Sequence, residues 1–182
     1  KTGLSKEELI KIISDYDGLI VRSATKVVAE IIKAADNLKV IGRAGVGVDN
    51  IDLAAAGTKG IIVMNAPEGN MITTAEHTLA LLLSMSRNIP QASYALKNRK
   101  WAPKEFMGVE LFEKTLGIVG LGRIGSRVAR RLQGWECEVV YSDIIDISEE
   151  LEQELNVTRL PLDEVLQTAD VITLHVPLGT QT

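Results

Sequence analysis

The chain has 182 residues, of which 46% are hydrophobic, enough for one compact domain or two small ones. Its net charge of −4 argues against a general nucleic-acid-binding protein, and its longest apolar stretch, TLALLLSM, is far shorter than the ~20 residues of a membrane-spanning helix. The single cysteine, Cys137, cannot form a disulfide within the chain, which favours a reducing compartment. We therefore expect a cytoplasmic protein with neither nucleic acid nor membrane as partner.

Helix and strand signals alternate in the first third of the chain. Ser5 and Glu8 have the spacing of a capping box, which predicts the start of a helix. After it the pattern predicts the strand LIVRS (19–23), a helix over 26–35, the strand KVIGRAG (39–45), a short helix from Leu53 and the strand IIVMN (61–65).

The pattern changes near residues 67–70, and a domain boundary is predicted there, between 1–68 and 69–182. Thr73 or Thr74 is predicted to cap a long helix that ends at Arg87. Later elements are a helical segment over 90–97, the strand TLGIVG (115–120), a helix over 123–133, the strand EVVYS (138–142), an acidic helix, a helix in LPLDEVLQTA and the strand VITLHV (171–176).

Strands separated by helices are typical of parallel sheets. The prediction is an α/β protein with two doubly wound parallel-sheet domains of the Rossmann or flavodoxin-like kind. Both domains are expected to be incomplete in this chain, because only three strands are predicted after residue 110 and a dinucleotide-binding domain has about six.

The stretch GIVGLGRIG (117–125) has the spacing of a dinucleotide-binding turn. Gly120 permits a tight turn, Gly122 lets a pyrophosphate approach the backbone, and Gly125 lets the following helix pack against the strand. Asp143 ends the next strand, where a carboxylate accepts the ribose hydroxyls and repels a 2′-phosphate. The pattern predicts NAD as cofactor; a turn used only for close packing is the alternative.

The turn before that next strand, GWECEVV, places Glu136 and Cys137 where glycine would be comfortable. Cys137 is interpreted as a packing residue, because no redox partner is found for it. No metal site is predicted.

A second glycine turn lies in VIGRAGVGVDNID (40–52). Gly45 and Gly47 can expose backbone N–H groups as an anion-binding nest, and Arg43 lies beside them. Arg22 and Ser23 end the preceding strand, at the edge where parallel sheets bind ligands. Either these residues bind a small, multiply charged anion such as a phosphorylated carboxylate, or the arginines are ordinary surface or ion-paired residues; the sequence pattern favours neither.

The combination of GLGRIG…YSD, GRAGVGVDNID, NAPEGN and TLHVPL resembles the D-isomer-specific 2-hydroxyacid dehydrogenases over nearly the whole chain. Within that family, GLIVRSATKV and VIGRAGVGVDNID are most similar to the members that oxidise 3-phosphoglycerate. The resemblance implies a substrate-binding domain over 1–68 and an NAD-binding domain over 69–182.

The resemblance also implies the roles of individual residues. The residues implied for substrate binding are Arg22, Ser23, Arg43, Gly45, Val46, Gly47 and Asn70. Those implied for cofactor binding are Val46, Gly120, Gly122, Arg123, Ile124, Gly125, Asp143, His175, Val176 and Pro177. Arg123 and Ile124 would meet the pyrophosphate, and His175 would lie on the adenosine side.

Two departures from the family accompany the resemblance. The family's first strand is missing, and its catalytic arginine, glutamate and histidine are expected beyond the end of the chain. Of the histidines present, His77 is interpreted as a helix residue that packs or bonds at the helix end, and His175 as a cofactor contact. No catalytic residue is therefore expected in this chain.

The function implied by the resemblance is NAD-dependent oxidation of 3-phospho-D-glycerate to 3-phosphohydroxypyruvate in serine biosynthesis. Alternatives are another dehydrogenase of the family, acting on glyoxylate, glycerate or 2-oxoglutarate, and a non-catalytic NAD-binding protein of the co-repressor kind. The family commonly forms dimers, so a homodimer or homotetramer is expected. Helix 75–87 and the segment after Pro90 would suit the interface, or equally the core.

Overall fold

The computed structural model describes residues 2–177, which form two compact units that divide between Asn70 and Met71. Each unit contains a parallel sheet connected by helices, so the α/β prediction is confirmed. The division falls two residues after the boundary predicted from the sequence. Over residues 2–177, no helix combines the length and apolarity needed to cross a membrane.

Unit 1 is a three-stranded parallel sheet in the order β1-β2-β3. Its elements are α1 (Lys6–Ile12), a 3₁₀ turn (Ile13–Asp15), β1 (Gly18–Val21), α2 (Ala29–Ala34), β2 (Val40–Arg43), α3 (Leu53–Thr58) and β3 (Ile62–Asn65). The predicted capping box is present at α1: the Ser5 hydroxyl accepts from the Glu8 backbone N–H, and the Glu8 carboxylate accepts from that of Ser5. Asp52 caps α3 in a similar way, through the backbone N–H of Ala55.

The predicted start of α2 at Lys26 is wrong, because the helix begins at Ala29. Val27 instead adopts an extended conformation and forms a parallel bridge with Ile51. Its backbone N–H donates to the Asn50 carbonyl at 2.8 Å, and its side chain is completely buried. A tertiary pairing thus overrides the helical pattern in this segment.

Unit 2 is a four-stranded parallel sheet in the order β6-β5-β4-β7. Its elements are α4 (Met71–Ser86), α5 (Ile89–Lys97), a 3₁₀ turn (Pro103–Phe106), β4 (Thr115–Val119), α6 (Gly125–Leu132), β5 (Glu138–Ser142), α7 (Glu149–Leu155), β6 (Thr158–Arg159), α8 (Leu162–Thr168) and β7 (Val171–Leu174). Its core surrounds β4 and β5 and includes Leu116, Ile118, Val128 and Tyr141.

Two predictions for unit 2 are corrected. Its described residues contain four strands rather than three, because β6 has only two residues and shows no hydrophobic pattern. Helix α4 starts at Met71, whose side chain is buried, and therefore not after a cap at Thr73 or Thr74.

The strand order of unit 2 reverses between β4 and β7. From β4 the chain moves outward to β5 and β6, and then returns through α8 to the other side of β4. In doubly wound sheets such a reversal opens a crevice at the carboxyl ends of the two strands, where ligands bind. Gly120 follows β4 and His175 follows β7, so both lie at this position.

Candidate functional site

The outer glycines of the turn between β4 and α6 are required by the fold. Gly120 has φ +92°, and a Cβ added there would lie 2.8 Å from the carbonyl oxygen of His175. A Cβ added to Gly125 would lie 2.1 Å from the carbonyl oxygen of Gly120. Only glycine allows these two backbone approaches, which close the turn against β7 and bring α6 onto the end of β4.

The middle glycine is in a different situation, because a Cβ added to Gly122 would have no atom within 4 Å. Within residues 2–177, the backbone N–H groups of Gly122, Arg123 and Ile124 make no hydrogen bond, and α6 begins directly after them at Gly125. Free N–H groups at a helix N-terminus attract anions. Arg123 is exposed and adds positive charge, so the turn fits a pyrophosphate that approaches over Gly122.

The carboxylate of Asp143 is held beside this turn by two backbone donors. The N–H of Leu121 donates to its Oδ2 at 2.7 Å, and the N–H of Ile145 donates to its Oδ1 at 3.0 Å. An ionised carboxylate has about four lone-pair sites, so each oxygen can still accept a hydroxyl. This geometry suits a pair of ribose hydroxyls next to the pyrophosphate position.

His175 closes the other side of the crevice. Its backbone N–H donates to the Val119 carbonyl at 2.8 Å, and its ring Nε2 lies 3.0 Å from the Thr173 hydroxyl. Burial lowers the pKa of His175 below its ordinary value, so the ring is neutral at pH 7. Val176 and Pro177 follow on the exposed side, and Val176 also approaches Gly120.

In unit 1 the predicted substrate residues meet at the carboxyl edge of the sheet. Val21 of β1 pairs with Arg43 of β2, so Arg22 and Ser23 follow at the level of Arg43. Both Arg22 and Ser23 are exposed, and over residues 2–177 neither side chain makes a hydrogen bond or ion pair. This edge therefore presents one cation and one hydroxyl that are free to bind an anion.

The Arg43 guanidinium lies across the second glycine turn. Its Nη1 donates to the Ala44 carbonyl at 3.2 Å, and its Nε lies 3.4 Å from Asn50 Oδ1. A Cβ added to Gly45 would be 1.7 Å from Arg43 Nη1. The absence of a side chain at Gly45 thus leaves room for the guanidinium.

Two asparagines that the sequence reasoning missed hold this turn in place. Asn50 is buried and donates from Nδ2 to the carbonyls of Arg22, at 3.0 Å, and Thr25, at 2.7 Å. Asn65, at the end of β3, donates to the Val46 carbonyl at 2.7 Å. Their only sequence signal is their position, in GVDNID and at a strand end, because the bonds join distant segments of the chain.

Most of the predicted residues thus fall into two groups, one at the carboxyl edge of each sheet. Val46 and Gly47 lie in the turn after β2, whereas Asn70 is the exposed last residue of the turn that ends unit 1. In the part of the chain that the structure describes, no three His, Cys, Asp or Glu side chains are grouped to hold a metal ion.

Comparison with known proteins adds an independent finding. Residues 79–182 match the family model described as "D-isomer specific 2-hydroxyacid dehydrogenase, NAD binding domain". The chain is 52% identical, over all 182 residues, to the D-3-phosphoglycerate dehydrogenase of Archaeoglobus fulgidus, and covers 34% of that protein. It is 53% identical over 178 residues to the human enzyme of the same name, with 98% of this chain and 33% of that one covered.

Solved structures give a similar result. The D-lactate dehydrogenase of Aquifex aeolicus, solved in complex with NAD and lactic acid, matches with a TM-score of 0.85 and 32% identity. The match covers 94% of this chain and 51% of that one. The chain spans about a third of the length of the curated relatives that it matches.

Proposed function

The chain belongs to the D-isomer-specific 2-hydroxyacid dehydrogenase family, whose NAD-binding domain covers residues 79–182, and we propose that the complete protein oxidises 3-phospho-D-glycerate to 3-phosphohydroxypyruvate. The proposal rests on the anion-binding edge of unit 1 and on the names of the relatives that the chain resembles over its full length. In it, unit 1 is the substrate-binding domain and unit 2 the NAD-binding domain. Asn70 is the residue at which one passes to the other.

NAD is the cofactor of the family's domain, and when bound here it would supply the acceptor for the hydride of the substrate. The described residues bind and orient it. The free N–H groups of the turn at Gly122 would hold the pyrophosphate, and the Asp143 carboxylate would accept hydrogen bonds from the adenosine ribose hydroxyls. Val46 lies on the nicotinamide side in this assignment.

Arg22 is the residue that we assign as the determinant of substrate specificity. It is exposed at the carboxyl edge beside Ser23 and Arg43, and it makes no hydrogen bond or ion pair within residues 2–177. A guanidinium without a partner at a ligand-binding edge is suited to a phosphate, which it binds through two parallel hydrogen bonds. We assign Arg22 and Ser23 to the substrate phosphate, and Arg43 with the backbone N–H groups of Val46 and Gly47 to its carboxylate. The Gly45 N–H, which the sequence predicted to bind the anion, donates instead to the Arg43 carbonyl at 2.9 Å.

We assign the described residues to the binding of substrate and NAD, and we assign none of them to the proton transfer. The His175 ring is paired with Thr173 on the adenosine side of the turn, and His77 is exposed on α4. The residues that take the hydroxyl proton and hold the carbonyl are expected elsewhere in the complete protein, as the family resemblance implies.

We also propose a cytoplasmic location and a homodimer that forms through α4 and α5. Large apolar side chains are exposed on these helices: Leu81, Met85, Ile89, Tyr94 and Leu96. Leu79 and Leu82 belong to the core instead. Sedimentation of the complete protein measures the oligomeric state directly.

The test of the substrate assignment is Arg22→Ala, with Lys26→Ala as the control, because Lys26 is an exposed cation four residues away. Loss of a charge-assisted hydrogen bond is worth about 1.5–3 kcal/mol, so KM for 3-phosphoglycerate should rise roughly 10- to 100-fold in Arg22→Ala. The unphosphorylated substrate D-glycerate should be affected much less, and Lys26→Ala should affect neither. Equal losses for the two substrates in Arg22→Ala would refute the phosphate assignment.

A further inference from the structure

A charged residue, Arg159, lies beside Asp143, the carboxylate of unit 2 that is assigned to the adenosine ribose. Arg159 of β6 pairs with Tyr141 of β5, so its side chain emerges two residues from the level of Asp143. Its Nη2 donates to the backbone carbonyl of Asp143 at 3.0 Å, and its Nη1 forms an ion pair with Asp146. Strand pairing therefore fixes a guanidinium next to the position assigned to the adenosine ribose.

Arg159 and Asp143 also line a common cavity. It has a volume of about 360 Å³, and its other lining residues are Ser142, Leu160 and Pro161. A cavity of this size at the carboxyl ends of β5 and β6 has room for a phosphate group beside the ribose position.

We propose that Arg159 is a phosphate-binding residue that Asp146 keeps occupied, so that this pair, together with Asp143, decides between NAD and NADP. The inference rests on the proposed binding of the dinucleotide at unit 2. It assigns to Arg159 a 2′-phosphate of the adenosine ribose, a chemical group that NADP carries and NAD lacks.

The charges around the cavity explain why the chain as it stands should select NAD. The Arg159 guanidinium forms an ion pair with Asp146 and lies within electrostatic range of Tyr141 and Glu152. The Tyr141 hydroxyl donates to Glu152 at 2.5 Å. With Asp143, which lines the same cavity, there are three carboxylates near one cation, and their combined charge repels a phosphate dianion. An unphosphorylated ribose meets no such repulsion.

The ion pair can nevertheless be released. The Asp146 side chain is 85% exposed, and exposed ion pairs contribute little to stability. A phosphate binds a guanidinium more strongly than one carboxylate at the surface does, because it offers more acceptor oxygens and more charge. Removal of the Asp146 charge should therefore free Arg159 for a 2′-phosphate and leave the contacts of Asp143 intact.

The experiment is a double-mutant cycle on the complete protein, with binding as the readout. Dissociation constants of NADH and NADPH are measured by nicotinamide fluorescence for the wild type, Asp146→Asn, Arg159→Gln and the double variant. Asp146→Asn should tighten NADPH binding about 3- to 10-fold, with NADH binding changed less than about twofold. In the Arg159→Gln background this gain should disappear.

The control is Glu154→Gln, which removes the same charge from a similar exposed pair, with Arg130 at 2.6 Å. It should leave the ratio of the two dissociation constants unchanged. If Arg159→Gln does not fold, the comparison of Asp146→Asn with Glu154→Gln is the test. Equal changes in the dissociation constant of NADPH in these two variants overturn the inference. A gain in NADPH binding that persists without Arg159 also overturns it, whereas absence of NADH binding in every protein, wild type included, refutes the proposed function itself.

Discussion

Three glycines of GIVGLGRIG differ in their roles: Gly120 and Gly125 are needed for the fold, whereas Gly122 is the one available for binding. Gly120 and Gly125 are surrounded by backbone atoms that a Cβ would overlap, whereas the space at Gly122 is open. The outer glycines would be needed by any tight strand–turn–helix connection. The open space at Gly122 is the feature that indicates a ligand, because nothing in the described residues fills it.

Gly122→Ala should leave thermal stability close to that of the wild type, since the added methyl meets no protein atom. It should weaken NADH binding about tenfold or more, because the methyl occupies the approach of the pyrophosphate. Gly125→Ala is the contrasting variant: its methyl would lie 2.1 Å from the Gly120 carbonyl, so it should destabilise the fold. Thermal unfolding and NADH titration measure both effects, and unchanged NADH affinity in Gly122→Ala would refute the binding role of the turn.

The lowered pKa of His175 predicts a pH dependence of stability. Burial keeps the folded ring neutral, whereas the ring of the unfolded chain binds a proton below pH ~6.5. The free energy of unfolding should therefore fall as the pH is lowered through this range, and His175 should contribute nothing to the slope above pH ~7.5. Urea unfolding measured from pH ~7.5 to well below pH ~6.5 should show a shallower decline of the free energy of unfolding in His175→Gln than in the wild type; an identical decline would contradict the assignment.

Several residue roles were predictable from sequence alone, because they depend on local backbone conformation. Glu136 adopts φ +57° in the turn where glycine was expected to be comfortable, and the Ser5 capping box forms as predicted. Asn50 and Asn65 were not predictable, since their hydrogen bonds span 19 to 28 residues. Arg159 was missed for the same reason: its neighbours are set by strand pairing.

At the level of elements, side-chain hydrogen bonds from two asparagines hold the turn after β2 in place. Asn50 binds two carbonyls of the loop after β1, and Asn65 binds the Val46 carbonyl in the turn itself. These bonds hold together the segments that carry Arg22 and Arg43. The substrate edge of unit 1 should therefore be sensitive to a substitution of Asn50, which replaces neither arginine.

Asn50→Ala should lower the free energy of unfolding by about 1–3 kcal/mol. The substitution removes a buried amide, and the carbonyls of Arg22 and Thr25 lose their hydrogen-bond donor. Asn37→Ala is the matched control: Asn37 donates at 2.8 Å to the Ser14 carbonyl on the exposed side of unit 1, and its loss should cost less than about 1 kcal/mol. Denaturant unfolding of both variants checks this. Equal effects would show that burial of Asn50 has no special weight.

Element boundaries were predictable where the signal is local and wrong where a tertiary contact decides. The strands β4 and β5 lie within the predicted ranges, since both are buried apolar runs. The start of α2 was wrong because Val27 pairs with Ile51, and β6 was missed because two exposed residues form a strand only through β5.

In the whole molecule, two parallel sheets each place the residues that we assign to ligands at the carboxyl edge. The α/β class followed from the alternation of elements, and the switch point of unit 2 follows from its strand order. No local sequence pattern shows which residues at these carboxyl edges keep a side chain without a hydrogen-bond or ion-pair partner. Within the described residues Arg22 does so, whereas Arg43 is hydrogen-bonded to the Ala44 carbonyl and Arg159 is ion-paired with Asp146. This difference supports a phosphorylated substrate and a cofactor without a 2′-phosphate.

The most direct test of this account is NADH formation by the complete protein, supplied with NAD and, in separate reactions, 3-phosphoglycerate, D-glycerate and D-2-hydroxyglutarate. We expect kcat/KM for 3-phosphoglycerate to exceed that for D-glycerate by about tenfold or more, since one phosphate contact is worth at least that factor. Equal values for the two, or no turnover of any substrate while NADH still binds, would contradict it.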